Sequence, residues 1–279
     1  MMPRVLVLQH SALSQCDLSV LNTLGLPPAA ANGSVLRIPV SETFRLPETA
    51  AAELNRQRID HAVLPDLAFA DLGLIVSDMD STLITIECVD EIAAGVGLKT
   101  QVAEITEQAM RGELDFEQSL RRRVALLEGL NEQVLQQVYE QILQLSPGAG
   151  YLLAECKKHG VAFLLVSGGF TFFTERLQQR LGFEYQHANV LEISDGLLTG
   201  KLTGRIIDAQ AKAELLAEYR EKLGLAAHQV VAVGDGANDI PMLLEAGTGI
   251  AYHAKPKAQQ HADACINFGG LEAVRGWFR

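Results

Sequence analysis

Three short apolar runs constrain the fold of this chain more than any other feature, because each leads straight into side chains that carry chemistry. Residues 74–76 (Leu-Ile-Val), 161–166 (Val-Ala-Phe-Leu-Leu-Val) and 230–233 (Val-Val-Ala-Val) are too short for helices and apolar at every position. Such runs are the mark of strands buried on both faces, as in a parallel sheet with helices on either side. The first run enters Asp78-Met-Asp80-Ser-Thr82, the second Ser167-Gly168-Gly169, and the third Gly234-Asp-Gly-Ala-Asn-Asp239. In open α/β sheets ligands bind beyond the carboxyl ends of the strands, so these groups are expected along one edge.

In an extended segment residues two apart point the same way, which lets Asp78 and Asp80 face one site. Two adjacent anions repel, and a bound cation or a retained proton relieves the repulsion. Hard oxygen ligands suit Mg²⁺, and an aspartate can also act as a nucleophile. Taken alone, Asp-x-Asp reads equally as an acidic turn. Ser167-Gly168-Gly169 ahead of a helix from about Thr171 is a phosphate cradle or an ordinary strand-to-helix turn. Asp235 sits at its strand end as Asp78 does. Capping of a helix whose first turn holds Pro241 explains Asn238 or Asp239, but not the whole cluster. Together these groups make a metal site, an acidic nucleophile and a phosphate cradle.

The 279 residues carry 23 basic and 34 acidic side chains, a formal charge of −11. That balance argues against nucleic acid or an anionic membrane as partner, and an anionic substrate needs locally placed cations. Two candidates stand out. Lys212 shares a helical stripe with Leu216, Tyr219 and Leu223, near a helix start where a cation opposes the macrodipole. It either meets an anion facing the sheet or reaches solvent along its stem. Arg123 falls within the stripe of Phe116, Leu120, Val124 and Leu127, while Arg121 and Arg122 point away from it. An inward arginine calls for a carboxylate or phosphate, from a substrate or from a structural ion pair.

The four cysteines show no C-x-x-C spacing, which suits reduced thiols in the cytosol. With no long apolar leader and no run of about 18 apolar residues, a soluble cytoplasmic protein is expected. Residues 1–70 read as a small α+β unit, with strands near 5–8, 35–40 and 61–64 and a helix over 48–58. Its role is either scaffold or homodimer contact, or ligand sensing. Residues 71–87 and 147–279 form the expected α/β core, a doubly wound and mainly parallel sheet. Residues 88–146, with four amphipathic helices, form an inserted helical-bundle cap.

Asp78-Met-Asp80-Ser-Thr82 with Glu87, Phe116-Glu-Gln-Ser-Leu with Arg123, Ser167-Gly168, Lys212 and Gly234-Asp-Gly-Ala-Asn-Asp239 resemble the haloacid dehalogenase-like phosphohydrolases. Within that superfamily the likeness is to the branch that hydrolyses O-phosphoserine, and it covers about residues 72–275. The resemblance implies that Asp78 attacks phosphorus and that Asp80 serves as general acid and then base. It implies Mg²⁺ held by Asp78, the Asp80 carbonyl and Asp235. Ser167, Gly168 and Lys212 would hold the phosphoryl oxygens, with Asn238 and Asp239 steadying the metal waters and Lys212. Glu87 would meet the substrate ammonium and Arg123 its carboxylate, against an apolar wall of Met110 and Phe116. The first 70 residues lie outside the likeness, where bacterial relatives often carry an ACT-like regulatory unit; this one is too short for a complete βαββαβ copy. Two other readings are a phosphotransferase with an acceptor alcohol such as homoserine, and a non-enzymatic sensor of phosphate or an amino acid. The paired carboxylates count against the sensor.

Overall fold

A computed structural model describes residues 3–26 and 33–279 of the chain, apart from the side chain of Met110. The chain opens with β1 (Arg4–Gln9), α1 (Val20–Thr23), β2 (Val35–Val40), α2 (Glu48–Arg56) and β3 (Asp60–Pro65). The strands form a separate antiparallel sheet in the order β2-β1-β3. Alternation divides β1 between two cores. Leu6 and Leu8 pack with Leu36, Ile38, Leu54 and Ile59, whereas Val5 and Val7 join the main core of the molecule. Helix α2 stops two residues short of the expected end, and Arg58 takes a positive φ of 58° as the chain turns into β3.

The main sheet starts at β4 (Leu74–Ser77). Four helices of the inserted segment follow: α3 (Cys88–Gly95), α4 (Lys99–Met110), α5 (Phe116–Ala125) and α6 (Gln133–Gln137). The last is shorter than its apolar periodicity suggests, because the backbone widens into a single π-turn over Val138–Ile142. Then come α7 (Ala149–His159), β5 (Ala162–Phe170), α8 (Thr171–Leu181), β6 (Tyr185–Ser194) and β7 (Leu197–Thr203). The chain ends with α9 (Ala209–Lys222), β8 (Val230–Gly234), α10 (Ile240–Glu245), β9 (Thr248–Tyr252), α11 (Pro256–Gln259), β10 (Ala264–Ile266) and α12 (Glu272–Gly276).

The strand order is β10-β9-β8-β4-β5-β6-β7, parallel throughout except for β7 against β6. Asp195 and Gly196, both at positive φ, make the tight turn that the Asp-Gly pair implies. Along the central strands successive residues face opposite ways. Ile75, Phe163, Leu165, Val231 and Val233 pack with α7 and α8, while Leu74, Val76, Leu164, Val166, Val230 and Ala232 pack with α9 and α10. Both faces are covered, so the sheet is doubly wound. Each fully buried aliphatic side chain contributes about 1.5–3 kcal/mol of transfer free energy, which makes this alternation a strong determinant of register.

The helical segment joins the sheet through two adjacent crossings, with Ile84 bridged to Leu145 and the Ser146 amide donating to the Leu83 carbonyl at 3.0 Å. Its far end is tied to the β6–β7 hairpin, where the Gly129 amide donates to Leu198 and the Leu198 amide to Leu130, each at 2.8 Å. One buried carboxylate ties the N-terminal sheet to the last strand of the main sheet, beside Gln9 Nε2 donating to the Ala273 carbonyl at 3.0 Å. Asp60, 2% exposed, accepts from the amides of Asn267, Phe268 and Gly269 at 2.7, 3.2 and 2.8 Å. Among the described residues no helix is long and apolar enough to cross a membrane.

Candidate active site

Strands β4, β5 and β8 are parallel neighbours, with Ser77 in register with both Leu165 and Val233. That register delivers Asp78, Ser167 and Asp235 to one edge, as the apolar runs predict. The Asp78 amide donates to the Val233 carbonyl at 3.0 Å, which fixes the backbone at the point where the carboxylate leaves the sheet. The carboxylate accepts from the Met79 amide at 2.7 Å, and the Ser77 hydroxyl donates to the Asp78 carbonyl at the same distance. The loop then turns sharply, with Ser81 at φ 55° and its hydroxyl donating to Glu87 at 2.7 Å.

Lys212 is 1% exposed, and its ammonium lies 2.8 Å from Asp78 Oδ1 and 2.7 Å from Asp239 Oδ1. Of its two readings, the anion-facing one is observed. Burial alone would pull its pKa down, but the two carboxylates outweigh that and hold it above the ordinary lysine value. The second Asp239 oxygen accepts from the amides of Asp235 and Gly236 at 3.1 and 2.9 Å. Asp239 is therefore fully engaged within the protein. Asp235 is less so: among the described residues its carboxylate receives only a long contact, 3.4 Å, from the buried Thr82 hydroxyl.

Carboxylate oxygens of Asp78, Asp235 and Asp239 lie within 4.8 Å of one another. Burial and the Asp239 charge push Asp78 well above the usual carboxylate range, against the pull of Lys212. The same two causes push Asp235 up to about 6. Asp80 is pushed up to about 7 by burial and by the charge of Glu87, opposed by a 3.4 Å hydrogen bond from the Cys88 amide. Clustered oxygen donors whose ionised forms repel one another suit a hard divalent cation.

The Ser167-Gly168-Gly169 segment departs from expectation. It is not a turn after the strand, because β5 runs on to Phe170 and the pairing with β6 shifts register between Val166 and Phe170. The irregularity carries the segment towards the site. Ser167 is wholly buried and its oxygen accepts from the Gly169 amide at 2.8 Å. A Cβ on Gly169 would lie 3.0 Å from Asp80 Oδ2 and 3.1 Å from Ser167 Oγ, so glycine keeps the space between them open. A Cβ on Gly168 would come within 3.1 Å of the Phe116 ring, which places that helix α5 residue against the cradle.

Helix α5 begins with a capping box between Asp115 and Gln118, which fixes the helical phase of the arginines. Arg121 pairs with Glu117 at the surface, and the exposed Arg122 makes a long contact with Gln108. Arg123 is half-buried and its Nε is a buried donor without a partner among the described residues. Burial lowers its pKa, opposed by the charges of Asp90, Glu87 and Asp80. Among the described residues it therefore faces the acidic site without an ion pair of its own. Glu87 caps α3 and is exposed. Asn238 lies beside Gly236 in the turn after β8 and has no side-chain hydrogen bond to another site group among the described residues. Met110 ends α4, and its side chain lies outside the described residues.

Reading the sequence for site residues misses Thr82, Gly169, the Cys88 amide and Asn189. Thr82 and Gly169 sit inside recognised motifs, but nothing in residue type separates them from loop chemistry. Asn189 bears on backbone groups of a bulge that the sequence does not reveal and of the segment before α9.

A sequence model of the haloacid dehalogenase-like hydrolase family matches residues 75–244. A phosphoserine phosphatase of Polaromonas sp. is 50% identical over 227 residues, covering 80% of this chain and 96% of the relative. A crystal structure of a haloacid dehalogenase family hydrolase from Salmonella enterica serovar Typhi is similar with a TM-score of 0.88 and 35% identity, covering 99% of this chain and 98% of that one. A phosphoserine phosphatase solved as an analogue of its phospho-aspartyl intermediate is 39% identical with a TM-score of 0.70, covering 75% and 99%. The chain belongs to the haloacid dehalogenase-like hydrolases and, within them, to the phosphoserine phosphatase family.

Proposed function

We infer that this chain hydrolyses O-phospho-L-serine to L-serine and phosphate, the last step of serine biosynthesis, through an aspartyl-phosphate on Asp78. The observation that carries the reading is the buried Asp78 carboxylate, held at the sheet edge by Lys212 and set among Asp235 and Asp239. A pure binder of phosphate or an amino acid gains nothing from anions placed where an anionic ligand must sit. A transferase to another alcohol has no observation in its favour.

Asp78 attacks phosphorus in line, forming its bond to phosphorus as the bond to the serine oxygen breaks. Asp80, with a pKa near 7, is protonated often enough to give that oxygen its proton. The carboxylate so formed then takes a proton from the water that attacks the phosphorus and frees Asp78. Ser167, the Gly168 amide and Lys212 hold the phosphoryl oxygens, which suits a transfer governed by positioning and charge. Asp78 and Asp235, with the Asp80 carbonyl, have the oxygen donors to hold Mg²⁺, while Asp239 is spent on Lys212 and two amides. When bound there, the cation offsets phosphoryl charge and keeps Asp78 ionised. Asn238 would steady waters on a cation bound there.

Glu87 meets the substrate ammonium and Arg123 its carboxylate, the unpaired Nε being the donor that a bound carboxylate satisfies. Phe116 and Met110 form the apolar wall. Residues 88–146 act as a cap that excludes water on closure, and 71–87 with 147–279 form the catalytic core. Residues 1–70 are a truncated ACT-like unit, acting as scaffold or homodimer contact, and the enzyme works in the cytoplasm. The test is phosphate release from a panel of phosphomonoesters with Mg²⁺, repeated with homoserine present. Release from O-phospho-L-serine above the rest, unchanged by homoserine, supports hydrolysis; a phosphorylated homoserine product supports transfer.

A further inference from the structure

Asn189 is wholly buried in β6, and none of the roles above uses it. It sits where the β5–β6 ladder breaks. Val166 lies opposite His187, and the next pair is Phe170 opposite Asn189, so three residues of β5 face one of β6. Such a bulge leaves a buried carbonyl without its ladder partner, and a buried carbonyl needs a donor. Asn189 Nδ2 supplies it, donating to the Gly168 carbonyl at 2.8 Å. Its Oδ1 accepts from the Ile207 amide, also at 2.8 Å. A backbone N–H only donates and a carbonyl only accepts, so the orientation of this carboxamide is fixed.

Both ends of the carboxamide lead to the phosphoryl cradle. The Gly168 carbonyl and the Gly169 amide share one rigid peptide plane. That amide donates to Ser167 Oγ at 2.8 Å, which leaves the Ser167 O–H free to point into the site. At the other end, Ile207 precedes Asp208, which caps α9 by accepting from the Ala211 amide at 2.8 Å. Lys212 is the next residue of that helix. One side chain thus joins the bulge that carries Ser167 and Gly168 to the helix start that carries Lys212.

We propose that Asn189 is a positioning residue that locks the two halves of the phosphoryl cradle in register. It touches no substrate and acts through the 168–169 peptide and the start of α9. This rests on the reading of Ser167, Gly168 and Lys212 as the cradle, and the experiment separates the two. The probe is inorganic phosphate as a competitive inhibitor, with the KM for O-phospho-L-serine, on the full chain loaded with Mg²⁺. Asn189→Ala should raise the phosphate Ki and the KM by about tenfold or more, with the apparent Mg²⁺ affinity within about twofold of the parent. Asn189→Asp adds a pH signature. An introduced carboxylate accepts from Ile207 but cannot donate to Gly168, whereas its protonated form does both. Its deficit should therefore be largest near pH 8 and shrink several-fold near pH 6, relative to the parent at each pH. If Ser167→Ala leaves phosphate inhibition unchanged, the cradle reading itself fails. If Ser167→Ala weakens inhibition while both Asn189 variants keep parental Ki and KM and differ only in melting temperature, the role of Asn189 is overturned. Should Asn189→Ala not fold, the pH comparison on Asn189→Asp decides alone, and a pH-independent deficit overturns the proposal.

Discussion

The Lys212 ammonium lies 2.8 Å from one oxygen of Asp78, and both groups are almost wholly buried. An ion pair so desolvated is costly to break from one side, because the remaining charge is left without a partner. Here Asp239 takes a second face of the ammonium at 2.7 Å, so Lys212 serves two carboxylates at once. Lys212→Met should therefore abolish turnover and also destabilise the fold by roughly 3–5 kcal/mol, read from chemical denaturation. A variant as stable as the parent would show that the pair is not a structural centre of the site.

The carboxylate cluster predicts an unusual pH dependence of stability. Asp80 and Asp235 have folded pKa values near 7 and near 6, and Asp78 is also raised. Each group therefore binds its proton more tightly folded than unfolded. Between about pH 4 and these values the folded state holds the extra protons, so stability falls as pH rises. Chelator-treated protein should lose melting temperature from about pH 5 to pH 8, and Asp235→Asn should flatten that slope. Mg²⁺ should restore more stability at pH 8 than at pH 5. A pH-independent melting temperature in the apo protein would contradict the electrostatic picture.

Asp60 joins the N-terminal sheet to the core through three amides of 267–269. Asp60→Ala leaves those donors buried and unpaired, at a cost of about 3 kcal/mol or more. Trp277, the single tryptophan, is buried beside this junction, and its backbone carbonyl accepts from Arg37 of β2 at 3.0 Å. Its fluorescence should shift to the red in Asp60→Ala. An unchanged emission spectrum and melting temperature would mean that other contacts hold the two units together.

Substrate recognition is tested through the arginines of α5. Arg123→Ala should lower kcat/KM for O-phospho-L-serine by about a hundredfold, as when a buried charged hydrogen bond is lost (roughly 3 kcal/mol). Arg121→Ala and Arg122→Ala should change it by less than about threefold, since both are solvated. Phosphoethanolamine has no carboxylate, so its slow turnover should hardly respond to Arg123→Ala. Equal losses on both substrates would make Arg123 a support for the cap instead.

Much of this site was legible because it depends on residues adjacent in sequence. Strand alternation and the apolar runs set Asp78, Ser167 and Asp235 at one edge, and helical phase singled out Arg123 from its neighbours. What stayed hidden depends on backbone geometry across elements. The extension of β5 to Phe170, its bulge, and the use of Asn189 to satisfy it follow from how two strands meet, not from either strand alone. The engagement of Asp239 with Lys212 and with the amides of Asp235 and Gly236 likewise depends on how separate elements meet. The shortening of α6 has the same kind of origin, in a turn that widens at Val138.

The central claim is that Asp78 carries the phosphoryl group. Acid-quenched enzyme, mixed with O-phospho-L-serine and Mg²⁺, should yield a phosphorylated peptide that contains Asp78. Asp78→Asn should give neither that adduct nor measurable phosphate release, because an amide is a far poorer nucleophile, while keeping the parental circular dichroism spectrum. An adduct mapped to any other residue, or phosphate release by Asp78→Asn at more than a small fraction of the parental rate, would contradict it.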